Sequence, residues 1–154
     1  MGLAYSALFP VLQKARDRYL EILQGLEAEQ LAWRLAPESN SIGFLIRHNA
    51  EVEYRFCLMF FQRPLPPGVA LETIGPDVRD NGRYTDLAAL LSFKDESYTY
   101  LLQAIKALPA DQWDLPAAAP IGEMTPRQAL GRLIYHTGYH GGQIGLIRKY
   151  GNRP

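Results

Sequence analysis

Apolar residues recur at steps of three and four along four stretches of the chain, the spacing of an amphipathic helix. From about Leu3 to Leu26 the stripe is Leu8, Val11, Leu12, Ala15, Tyr19, Ile22 and Leu23, which predicts helix one. The segment from Glu27 to Pro37 has room only for a short helical turn, where Trp33 and Leu35 are expected to cover one end of the core. Pro37-Glu38-Ser39-Asn40-Ser41 then offers several N-cap residues, and helix two follows to about Gln62. The prolines of Arg63-Pro64-Leu65-Pro66-Pro67-Gly68 end it, because proline lacks the amide hydrogen a helix needs.

The link from there to about Tyr84 shows no strand pattern, and Gly75-Pro76-Asp77 and Asp80-Asn81-Gly82 mark turns within it. A connection that long either crosses a bundle or overlies a site. Thr85 is expected to cap helix three, which runs to Ala107 on Leu87, Leu90, Leu91, Tyr98, Leu101, Leu102 and Ile105. Lys94 and Tyr98 interrupt that stripe with polar atoms, and the expectation is a snorkelling lysine and a tyrosine hydroxyl that reaches the surface. Pro109 ends the helix, and Trp113 is expected to anchor the link from Ala110 to Gly122. Helix four opens with Thr125 as N-cap and Pro126 in the first position, where a missing N–H costs nothing, and runs to Gly151. The pattern predicts an all-α protein, one domain over residues 1–154, built as a four-helix bundle with a long crossover link between helices two and three.

Composition narrows the function. At 154 residues and 47% hydrophobic the chain can bury a substantial core. Its 16 basic and 16 acidic residues are interspersed and cancel, so there is no electrostatic footprint for nucleic acid or an anionic membrane. No apolar run reaches the length of a membrane span. The opening has no basic stretch ahead of an apolar one and is broken by Pro10, which argues against a signal peptide. Met1-Gly2-Leu3-Ala4-Tyr5-Ser6 formally matches a glycine-acylation pattern, a match that arises easily by chance. The single cysteine, Cys57, excludes an intrachain disulfide and fits a cytoplasmic protein.

The candidate chemistry lies in the three histidines. His136 and His140 stand four residues apart on helix four, so their side chains point almost the same way, with Cβ atoms ~5–6 Å apart. They align with Ala129, Leu133 and Ile147, and His48 occupies the centre of the inward stripe of helix two, with Leu45, Val52 and Met59 within about 60° of it. Three histidines at inward positions of facing helices match the way a bundle builds a metal site, and three neutral nitrogens leave a divalent ion an open position. Cys57 falls on the opposite side of helix two and is not expected to join them.

Three neighbours on the same faces carry further expectations. Glu51, at about −60° from His48, borders the stripe and is either a flanking charge or an acceptor that orients a ligand imidazole. Arg55, at about −20°, is either a snorkelling charge or a substrate contact that anchors an anion at the mouth of the site. Gln143, at about −20° from His136, either contacts a bound substrate or hydrogen-bonds inside the core. Gly138, Gly141, Gly142 and Gly145 weaken helix four, each by ~0.5–1 kcal/mol relative to alanine, which suggests a close approach by a neighbouring helix or a ligand. No phosphate-binding, nucleophile-elbow or HExxH motif is present.

The two segments Asn40-Ser41-Ile42-Gly43-Phe44-Leu45-Ile46-Arg47-His48 and His136-Thr137-Gly138-Tyr139-His140-Gly141-Gly142-Gln143-Ile144 resemble the DinB/YfiT-like superfamily of four-helix metalloenzymes. The resemblance extends to helix count, helix order and the long link. It implies a metal held by His48, His136 and His140, and differs at Gly141, where many members carry arginine. Imidazole ligands suit a divalent transition metal such as zinc, nickel or iron as cofactor, and the resemblance further implies a small-molecule substrate and a homodimer. Activities in the superfamily include transfer of low-molecular-weight thiols, so the leading expectation is a metal-dependent thiol S-transferase. A metal-dependent hydrolase and a non-catalytic metal- or ligand-binding module are the alternatives.

Overall fold

The computed structural model describes residues 3–151, so Met1 and Gly2 of the acylation-like opening lie outside the described residues. Four α-helices account for the fold: α1 (Leu3–Leu23), α2 (Ile42–Phe60), α3 (Leu87–Ala107) and α4 (Pro126–Tyr150). They pack as a bundle, α2 against α3 and α4, and α1 against α4. The expected short turn between α1 and α2 is a 3-10 segment, Ala28–Ala32. None of the described helices is long and apolar enough to cross a membrane.

The helix ends follow local chemistry, with three adjustments to the sequence reading. Helix α1 stops at Leu23 rather than Leu26, because the chain turns through Gly25 at a φ of +67°, open to glycine without a Cβ clash. Helix α2 stops at Phe60 rather than Gln62: the amides of Phe61 and Arg63 both fold back on the carbonyl of Cys57. The cap of α3 is Asp86 and not Thr85, its carboxylate accepting from the amide of Ala89 at 3.0 Å while the amide of Thr85 turns onto Arg83. Helix α4 begins as expected, with Thr125 and Gln128 forming a reciprocal capping box and Pro126 just inside.

Two apolar clusters fill the bundle, one toward each end. One joins Val52 and Phe56 of α2 to Leu133 and Ala129 of α4, with Leu101 and Ile105 of α3 and a fully enclosed Trp113 anchoring the second link. The other joins Ile42 and Leu45 to Ile147 and Ile144, with Tyr19 and Leu23 of α1. These pairings show that α2 and α4 run antiparallel. Trp33 packs against the second cluster, whereas Leu35 is 42% exposed; the residue that seals this end is Leu31, at 0%.

Between the clusters the interior turns polar. Arg16, Asn49, Glu53, Lys94 and Ser97 are all buried there. Glu53 accepts from the hydroxyl of Ser97 at 2.5 Å and faces Arg16 at 3.5 Å, and Arg16 also donates to the carbonyl of Lys94 at 3.0 Å. Lys94 therefore does not snorkel: it is 4% exposed, with its ammonium group on Asp95. Nor does the hydroxyl of Tyr98 reach the surface; it is buried without a partner among the described residues, its ring beneath the guanidinium of Arg16 at 4.3 Å.

The long link between α2 and α3 is strapped to α2. Asp80 accepts from the amide of Ser41 at 2.7 Å and pairs with Arg34 at 3.2 Å. Tyr84 passes so close to Gly43 that a Cβ there would stand 1.9 Å from its carbonyl oxygen. Ala70 accepts from Arg47 at 3.1 Å, and Thr73 settles over His48. The link does both things open to it: it crosses back along the bundle, so that α3 starts beside the first turn of α2, and it overlies His48 on the way.

Candidate metal centre

His48 comes from the middle of α2, and His136 and His140 from successive turns of α4, at the level between the two apolar clusters. All three are half-buried, so they border the core at the edge of the α2–α4 seam and do not point into its centre. Each offers one nitrogen, and these nitrogens lie within 4.8 Å of one another. The Nε2 atoms of His48 and His136 are 3.2 Å apart. Two nitrogens held at ~2.0–2.1 Å by a tetrahedral ion stand ~3.3 Å apart, so the pair already has the separation of two ligands.

Hydrogen bonds aim two of the rings. His48 donates from Nδ1 to the carbonyl of Thr73 at 3.1 Å, and His140 from Nδ1 to Oε1 of Gln143 at 2.6 Å. A neutral imidazole with its proton on Nδ1 presents a bare lone pair at Nε2, the form a metal requires. His136 has no such support, and its buried Nδ1 lacks a partner among the described residues. Two bare lone pairs at 3.2 Å repel unless a proton or a cation lies between them. The donor set therefore fits a divalent transition metal.

Electrostatics keeps the rings neutral. Burial pushes His136 down to about 3, helped by His140, His48 and Arg132. Burial also lowers His48, with His140 the next cause, and lowers His140 against the opposing bond from Gln143. Protons thus compete poorly for these nitrogens near neutral pH.

The neighbours divide unevenly. Glu51 is fully buried but touches no imidazole: Oε1 accepts from Arg47 at 2.6 Å, and Oε2 accepts from the amide and hydroxyl of Thr73, each at 2.7 Å. It is hydrogen-bonded to Thr73, a link residue for which helical periodicity holds no signal, and its charge also favours the protonated form of His48 across space. Gln143 accepts from His140 and also lines a small cavity of about 70 Å³ with Asn40, Leu45 and Ile147. Arg55 is half-buried, close enough to lower the basicity of His48, and has no hydrogen bond or ion pair among the described residues. Arg132, not singled out in the sequence, stands in the same relation to His136 and is exposed. The signal was available, since Arg132 lies one turn before His136 on its face.

Two other expectations resolve differently. Cys57 stays away from the histidines in the apolar cluster, and burial pushes its thiol up to about 12. Of the four helix glycines only Gly141 is approached, its Cβ position lying 3.4 Å from both Tyr19 and Ile22; Gly138, Gly142 and Gly145 face open space. Clefts of about 510 Å³ run along α3, and no histidine lines them.

The sequence model described as the DinB superfamily matches residues 12–144, most of the chain, and the match contains all three histidines and the link that covers them. No curated protein compared with the chain matches it.

Proposed function

The chain belongs to the DinB superfamily, and from that premise we propose that it is a metal-dependent enzyme that transfers a low-molecular-weight thiol to a small electrophile. The observation that carries this reading is the pair of Nε2 atoms at ligand separation, with the third imidazole turned toward them by Gln143. His48, His136 and His140 would hold the ion, and three protein ligands would leave it room for a reactant. A bound divalent ion supplies one thing to the reaction: it lowers the pKa of a coordinated thiol, so that the sulfur is thiolate at neutral pH.

The chain's own residues do the rest. Thr73 and Gln143 keep two imidazoles in the ligating tautomer. Glu51 fixes Thr73 from behind, its second oxygen held by Arg47. Arg55 meets an anionic group on a reactant. In the transfer the thiol proton passes to solvent and the sulfur pair forms the new bond to carbon. The leaving group departs with the pair it shared with that carbon.

Hydrolysis is the weaker reading, because a water attack calls for a carboxylate base and both oxygens of Glu51 are engaged. We further infer a cytoplasmic homodimer: the single cysteine fits a reducing compartment, and the dimer is what the family resemblance implies. The test is elemental analysis of the purified protein beside His48→Ala, followed by electrophile consumption across a panel of small thiols. Near-stoichiometric metal that falls away in the variant, with thiol-dependent consumption, is expected. Equal metal in both proteins ends the reading of the site, and consumption that needs no thiol moves the activity to hydrolysis.

A further inference from the structure

We propose that Arg55 and Arg132 form a two-armed anion clamp at the mouth of the three-histidine site, so that one reactant carries a carboxylate seated between them. The proposal rests on the metal-centre reading above and adds the chemical class of the substrate. Because α2 and α4 are antiparallel, the step from His48 to Arg55 and the step from His136 to Arg132 lead the same way along the bundle. Arg55 lies ~10 Å along α2 from His48 and about 20° off its direction, and Arg132 ~6 Å along α4 from His136 and about 40° off. Arg132 is exposed and Arg55 half-buried beside the half-buried imidazoles, and each lies close enough to lower the basicity of the histidine on its own helix. The two guanidinium groups therefore hang over the same rim from facing helices.

Nothing in the described chain neutralises either of them. The remaining site arginine, Arg47, is tied to Glu51, Glu72 and the ring of Phe93. Arg55 and Arg132 have no hydrogen bond, ion pair or aromatic face among the described residues. Two like charges beside an ion-binding site repel each other and the ion, so an unbalanced pair favours an anion bound between them. Guanidinium is suited to it, because its planar fork matches both oxygens of a carboxylate. The carboxylate can belong to the thiol or to the electrophile, since both must reach the same open position.

The test uses matched probes on zinc-loaded protein. In one arm the thiols mercaptoacetate and mercaptoethanol are titrated calorimetrically; in the other, bound mercaptoethanol is alkylated by iodoacetate or iodoacetamide. In alkylation the sulfur–carbon bond forms as the carbon–iodine bond breaks, and iodide leaves with the pair. A preference of about ten-fold or more for the charged probe is expected in at least one arm, falling about three-fold in Arg55→Gln or Arg132→Gln and vanishing in the double variant. No preference in either arm, or one that survives the double variant, overturns the clamp. The same titration of metal-free protein, followed by the Nε–H signals of the two arginines, separates the readings. Signals moved by mercaptoacetate in a protein that takes up no zinc keep the clamp and sink the metal centre. Signals unmoved in a protein that does take up zinc sink the clamp alone.

Discussion

Replacing Gly43 with alanine tests whether the strap over α2 is as tight as the structure makes it. The added Cβ would lie 1.9 Å from the carbonyl oxygen of Tyr84, whereas carbon and oxygen in close contact sit ~3.3–3.6 Å apart. Tyr84 must retreat by roughly 1.4 Å or more on that comparison. Overpacking of this kind costs ~1–3 kcal/mol. Straining the bond from Ser41 to Asp80, four residues upstream on the link, adds to it, because a hydrogen bond to a charged group contributes ~1.5–3 kcal/mol. Against this stands the gain of alanine over glycine within a helix, only ~0.5–1 kcal/mol. The clash wins, and a net loss of roughly 2–4 kcal/mol follows. In a domain of this size that lowers Tm by roughly 5–15 °C. Calorimetric melts of metal-free protein would read it, with Gly142→Ala as the control: its Cβ meets nothing within 4 Å, so Tm should rise by about 2 °C. Two variants that shift together, or a Gly43→Ala melt within about 1 °C of the parent, would refute the reasoning.

Gln143→Leu removes the acceptor that orients His140, and metal affinity should fall about 10–100-fold by competition with a chromophoric chelator while the helical circular dichroism holds. Unchanged affinity would show that the 2.6 Å bond aims nothing. Glu53 gives a pH dependence: burial pushes its carboxyl up to about 7, against Arg16, Ser97 and Lys94, which favour the charged form. A folded-state pKa above the unfolded value means stability fully present below about 4.5 and lost as pH rises through about 7. Glu53→Gln should therefore flatten the stability profile between those limits relative to the parent, and an identical slope in both proteins would show that Glu53 is not held in this way.

The fold and the site's donors were legible because both depend on periodicity. The same 100° step that places Leu45 and Val52 on one face of α2 places His48 among them, and its repetition on α4 pairs His136 with His140. What periodicity misses is anything supplied by a distant segment. Glu51 was rightly placed beside the stripe, but its partner Thr73 comes from the link, where no repeat constrains the sequence. Gly43 is required by a carbonyl that only the folded link brings near. Lys94 reads as a lysine that snorkels out from the stripe of α3, and its burial depends on the polar layer that Arg16 of α1 and Glu53 of α2 build around it. Thr85 and Asp86 are both competent caps, and the choice between them turns on how the link arrives.

The outward glycines of α4 give the centre a second role. Gly138, Gly142 and Gly145 gain nothing from packing, so the turns carrying His140 and Gln143 are the part of the helix least able to stay wound by themselves. An ion gripped at both 136 and 140 would act as a brace across that weak span, and chelation would be felt first as a loosening of the backbone there. Cargo and scaffold would then share one fastening.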